Sequence, residues 1–121
     1  MKTKNLFYLT FVLVLVSLLS VTPVLASEAC PHPEHTIQAL RACVTDAAAM
    51  GHIDNQGVAN SLLAKLDSAQ AALDRAQPQI AVTNLTAFIH EVKAQAGKHI
   101  DAEHANHMVM HAQEVIDSLS H

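Results

Sequence analysis

Residues 78–97 read PQIAVTNLTAFIHEVKAQAG, and this stretch decides the fold class. Ala81, Leu85, Phe88, Ile89, Val92 and Ala96 recur at steps of three, four and one, the spacing that lines up side chains on one side of a helix. Pro78 suits a first helical turn, and Gly97 can close the helix in a left-handed cap. Toward the N-terminus, Val58, Leu62, Leu66, Ala69 and Leu73 form a second stripe. It starts after the capping residue Asn55 and runs until Ala76, because residues just ahead of Pro78 disfavour helical geometry. Thr36 can cap an earlier helix that carries Ile37, Leu40, Cys43, Val44, Ala47 and Ala48, runs to about Met50 and ends at Gly51. Toward the C-terminus, Asp101 caps a last helix in which Ala105, Met108, Val109, Ala112, Val115, Ile116 and Leu119 share one arc. No segment alternates apolar and polar residues, so strands have no support. The expected fold is all-α, and short connections between four amphipathic helices favour an antiparallel up-down bundle.

The first 26 residues read differently. Lys2 and Lys4 precede an apolar run from Leu6 to Leu19, followed by Pro23 and the small-residue pattern Val24-Leu25-Ala26. Together these match a cleaved secretory signal peptide over residues 1–26. An uncleaved membrane anchor is the competing reading, disfavoured because Thr22-Pro23 breaks the helix just before the cleavage site. Lipidation at Cys30 is disfavoured by the charged Glu28 before it. The expected product is a secreted or periplasmic chain with no stable membrane span, organised as a non-helical segment over residues 27–35 and a helical bundle over residues 36–121.

That product has 95 residues, with 19 alanines, all nine histidines, both cysteines and Phe88 as its sole aromatic side chain. Without Trp or Tyr it has no stacking platform for sugars or unpaired bases. Five Lys or Arg stand against eleven Asp or Glu, so a phosphate backbone is repelled and nucleic acid is not an expected partner. Two cysteines in an oxidising compartment predict one disulfide, Cys30 to Cys43, reached if Pro31-His32-Pro33-Glu34-His35 doubles back. The alternative, two ligands for a soft metal, lacks finger-like Cys and His spacings.

The run Gly51-His52-Ile53-Asp54-Asn55-Gln56-Gly57, then Asn60-Ser61-Leu62 with Lys65-Leu66, then Leu85-Thr86-Ala87-Phe88-Ile89 with Val92, Ala94, Gly97 and Ile100, resembles the FIMAH domain. The resemblance spans Val44 to Leu119. It implies a small helical module of secreted bacterial proteins, usually appended to hydrolases and cell-surface proteins, with no catalytic role of its own. Histidine enrichment is not part of that pattern. Read physically, the glycines sit at helix ends, Asn55 caps, and Leu62, Leu66, Leu85, Phe88 and Ile89 pack. Lys65 is expected to extend its stem over apolar neighbours.

The histidines carry the remaining chemistry. His104, His107 and His111 fall at i, i+3 and i+7 and form one ridge beside the apolar arc of the last helix. Imidazoles at that spacing can hold zinc, copper or nickel, with Glu103 as a further ligand. An up-down bundle brings the Gly51–Asn55 and Gly97–Asp101 turns to the same end, so His52 and His99 are expected near His104 and His107. His32, His35 and His121 gather at the opposite end, and His90 is expected to be exposed. The bland alternative is a solvated ridge, interchangeable with Gln or Lys. A third use is pH sensing, because protonation below about pH 6.5 would set the ridge against itself.

Catalytic motifs are missing. There is no Gly-x-Ser-x-Gly elbow, no phosphate-cradling glycine loop and no His-Glu-x-x-His, and oxidised cysteines cannot act as nucleophiles. Asp67 and Asp74 read as a solvated helix face, and the Asn84-Leu85-Thr86 sequon lies inside a helix. No enzyme is expected. The first functional reading is therefore a non-catalytic module that docks to a protein or cell-surface component; the second is a histidine-based binder of zinc, copper or nickel.

Overall fold

The computed structural model describes Cys30 and residues 34–121; the expected leader, the rest of the 27–33 segment and with it His32 lie outside the described residues. Four helices follow one another: α1 (Ile37–Ala49), α2 (Gln56–Asp74), α3 (Pro78–Gln95) and α4 (Ala102–Leu119). Each packs against its sequence neighbours and α1 also packs against α4, while the backbones of neither diagonal pair come close. That closed ring is the up-down arrangement expected of short connections. Among the described residues there is no strand, and no helix is long and apolar enough to cross a membrane.

The seams are the predicted stripes. Leu40, Cys43 and Val44 of α1, Leu62 and Leu66 of α2, Leu85, Phe88 and Val92 of α3, and Met108 and Ala112 of α4 are fully buried in one cluster. Alanines at Ala47, Ala59, Ala69, Ala72 and Ala81 are equally buried, which lets neighbouring backbones approach closely. Leu73, Val109, Ile116 and Leu119 flank this core half-buried.

The N-terminal caps fall where expected. Thr36 Oγ1 accepts from the Ala39 N–H, Asn55 Oδ1 from the Val58 N–H and Asp101 Oδ1 from the Glu103 N–H, each at 3.1 Å. The C-termini depart from expectation in two places. Helix α2 stops at Asp74, two residues short of Ala76, and Ala76 itself adopts a positive φ of 56°. There the Ala76 N–H bonds the Leu73 carbonyl and the Gln77 N–H bonds the Ala72 carbonyl, a Schellman closure that glycine usually serves. Helix α3 ends at Gln95, with Ala96 extended and only half-buried rather than on the helix's core face. Gly97 has the positive φ expected of it, but in a tight turn beyond the helix, where the Gln95 carbonyl accepts from Lys98, His99 and Ile100.

Cys30 and Cys43 form the disulfide, with Cα atoms 5.0 Å apart. It ties the segment before α1 to the buried face of that helix.

Candidate metal centre at the paired turns

Local chain geometry brings the site together. After α1 the Gly51 N–H bonds the Ala48 carbonyl and the His52 N–H bonds the Ala47 carbonyl, so a second Schellman closure delivers His52 directly past the helix end. The turn then pairs with the one between α3 and α4. The Asp54 N–H donates to the His99 carbonyl at 3.0 Å, and the Asp101 N–H donates to the His52 carbonyl at 2.9 Å. Ile53 and Ile100, joined by an antiparallel bridge, plug the end of the bundle beneath this pairing.

Three side chains converge there. His52, Asp101 and His104 each offer one ligand atom, all within 4.8 Å of one another. Asp101 Oδ2 lies 3.6 Å from His52 Nδ1 and 3.8 Å from His104 Nδ1. Zinc binds such donors at about 2.0–2.2 Å, which places two of them about 3.4 Å apart at a tetrahedral angle. Asp101 is oriented for this by its cap, since Oδ1 holds the Glu103 N–H and Oδ2 is left facing the imidazoles.

His104 is the unusual member. It is 8% exposed, and its Nδ1 is buried with no hydrogen-bond partner among the described residues. Such an atom forfeits hydration without compensation. Burial holds the His104 pKa below its ordinary value of 6.5, helped by the neighbouring His52 and His107, while Asp101 and Glu103 pull it up. The ring is therefore kept in the neutral form that ligates metal. His52 and His104 stack with centroids 3.7 Å apart and 15° between their planes. Imidazole lone pairs lie in the ring plane, so sharing one ion requires the stack to splay.

The other histidines divide differently from the expected ridge. His107 is exposed, while His111 turns into the bundle at 7% exposure. Its Nε2 donates to the Glu34 carbonyl at 2.7 Å, at the end of the molecule away from His104. His104, His107 and His111 thus do not converge on one point, because a rise of about 1.5 Å per residue separates the first and last by about 10 Å. His99 faces Asp54 at 2.7 Å rather than joining His104. His35 pairs with Glu114 at 2.7 Å and meets His111 edge to face. His121 and His90 are exposed. Asp101, read from the sequence only as a cap, is the third donor of the converging group. An aspartate cap three residues before a histidine was the available signal, incomplete without the turn pairing that adds His52.

Beside the three donors lies an open cleft of about 320 Å³, lined by Gly51, His52, Asp54, Gly97, Lys98, His99, Ile100 and Asp101.

Fold and site define a small all-α module that carries histidine and carboxylate donors at one end, on the first turn of α4 and the two paired connections. The family model for the FIMAH domain matches residues 37–117, and the chain belongs to that family of helical modules. No curated protein and no solved structure matches it.

Proposed function

We propose that this protein is an exported, non-catalytic helical module that binds a divalent ion of the zinc, copper or nickel class through His52, Asp101 and His104, and docks by that end to a protein or cell-envelope component. The observation that carries the reading is the buried, unpartnered His104 Nδ1 facing a carboxylate oxygen and a second imidazole. Coordination gives that atom the partner it lacks, and nitrogen with carboxylate oxygen suits borderline metals better than calcium or magnesium. Family membership supports the non-catalytic half of the reading, and the disulfide supports export.

Calorimetry on the untagged, chelator-stripped protein tests it. Zn²⁺ is expected to bind at micromolar concentration or tighter, and a His52→Ala, His104→Ala double variant to lose that binding. Equal weak uptake by both proteins would end the metal reading. A His107→Ala, His111→Ala variant is expected to bind as the unaltered protein does.

A further inference from the structure

The geometry points to a second ligand: we infer that the cleft between the paired turns takes a carboxylate group, which completes the coordination of the ion and rests its other oxygen on Lys98. This inference rests on the metal reading of His52, Asp101 and His104.

The first argument is a count of donors. Three groups converge, while borderline metals take at least four ligands, and a site with three protein ligands keeps a position for an outside one. Among the described residues none supplies the fourth. His99 Nδ1 is turned to Asp54 at 2.7 Å, and Glu103 and His107 sit on the exposed side of α4 outside the converging group. His104 is buried behind His52 and Asp101, and both of those line the cleft. A fourth ligand therefore enters through the cleft.

The second argument is the polar inventory of the cleft. Every backbone N–H among its eight lining residues is already donated: Gly51 and His52 to α1, Asp54 and Asp101 across the turn pairing, Gly97 to Ile100, and Lys98, His99 and Ile100 to Gln95. No nest of free N–H groups remains, and the lining contains no arginine, so a phosphate would find neither an N–H cradle nor a bidentate guanidinium, only the point charge of Lys98. What remains is the Asp54 carboxylate, turned to His99 at 2.7 Å, and one exposed ammonium, Lys98, with no ion-pair partner among the described residues, whereas Arg41 and Lys65 are paired with Asp67 and Glu91. A metal ion on one wall and a single lysine on the rim match a two-oxygen anion of unit charge. Gly51 and Gly97 line the cleft beside open space, with nothing within 4 Å of where a Cβ would stand.

Cobalt(II) substitution tests this, because its visible absorption reports a change of ligand. The untagged protein is loaded with Co²⁺ and titrated with acetate, with a blocked peptide bearing a single glutamate, and with inorganic phosphate. Saturable spectral change with the carboxylates, and a weaker response to phosphate, is expected. Lys98→Gln is expected to weaken carboxylate binding roughly fivefold, the scale of an exposed ion pair, without changing Co²⁺ affinity. Tighter binding of the peptide than of acetate would identify a protein side chain as the source; equal binding would identify a free carboxylate. A Co²⁺ spectrum that carboxylates do not move, a stronger response to phosphate, or an unaffected Lys98→Gln variant would overturn the inference while leaving the metal site standing. Failure of Co²⁺ to bind in preference to the His52→Ala, His104→Ala variant would remove both.

Discussion

The imidazoles of His52 and His104 stack 3.7 Å apart although one follows the end of α1 and the other lies in the first turn of α4. A shared ion would cross-link the α1–α2 turn to the last helix, and a ligand that binds only the folded chain raises its stability by mass action. At a free concentration of 100 times the dissociation constant the gain is about 2.7 kcal/mol. For a domain of this size that corresponds to a melting temperature higher by roughly 10–20 °C. Differential scanning calorimetry with and without Zn²⁺ is expected to show this rise in the unaltered protein and in His107→Ala, and not in His52→Ala.

Without metal, the same histidine makes stability depend on pH. The folded chain holds His104 below 6.5, chiefly through burial and then through His52, with His107 adding to them and Asp101 and Glu103 opposing. The unfolded chain accepts the proton near 6.5, so below that pH it binds more protons than the folded chain. The contribution is fully present above pH 6.5 and is lost as pH falls from there through the lowered folded value. Melting temperature measured in chelator is expected to fall between pH 7.5 and pH 5, and His104→Gln to flatten part of that slope. An unchanged slope in His104→Gln would move the effect to other histidines. Burial leads here, where the spacing alone suggests repulsion along the ridge; His107 adds only the last of the lowering contributions, and His111 bonds the Glu34 carbonyl.

The four stripes and the three capping residues were legible because each depends on short-range spacing, and the meeting of the two turns followed from the up-down order that short connections favour. The burial of His104 and His111 was not. A helical wheel places both beside the apolar arc, but how far burial spreads past that arc is set by what lies alongside. For His111 that neighbour is the backbone at Glu34; for His104 it is the turn bearing His52. Ala76 was illegible for a related reason. Its positive φ is imposed by closing α2 ahead of Pro78, and alanine gives no local sign of it.

The disulfide is expected to be a large share of the stability of this alanine-rich core. Cys30 and Cys43 are 13 residues apart, and closing a loop of that size contributes about 3 kcal/mol. A Cys30→Ala, Cys43→Ala variant is expected to melt some 10–20 °C lower while keeping its helical circular dichroism at low temperature. A loss of only a degree or two would mean that the contacts of Glu34 with His111 and of His35 with Glu114 suffice without the link.

The head group of Lys65 enters a polar triangle that the expected apolar path of its stem does not announce, and the triangle gives a test of the α2–α3 seam. Its Nζ pairs with Glu91 Oε2 at 2.6 Å and donates to Ser61 Oγ at 3.0 Å, while Ser61 Oγ donates to the same carboxylate oxygen at 2.9 Å. The Lys65 and Glu91 side chains are 30% and 19% exposed, so the triangle is partly shielded from water. Glu91→Ala removes the common acceptor and leaves an ammonium and a hydroxyl half-buried, at a cost of about 1–2 kcal/mol. Replacing both charges, Lys65→Met with Glu91→Leu, leaves neither stranded and is expected to cost less than the single change. Urea unfolding with an unchanged slope would measure both. A neutral Glu91→Ala beside a destabilised double variant would show that packing, not the ion pair, fixes how α2 sits on α3. Neither variant is expected to change Zn²⁺ affinity, since none of the three residues belongs to the group formed by His52, Asp101 and His104.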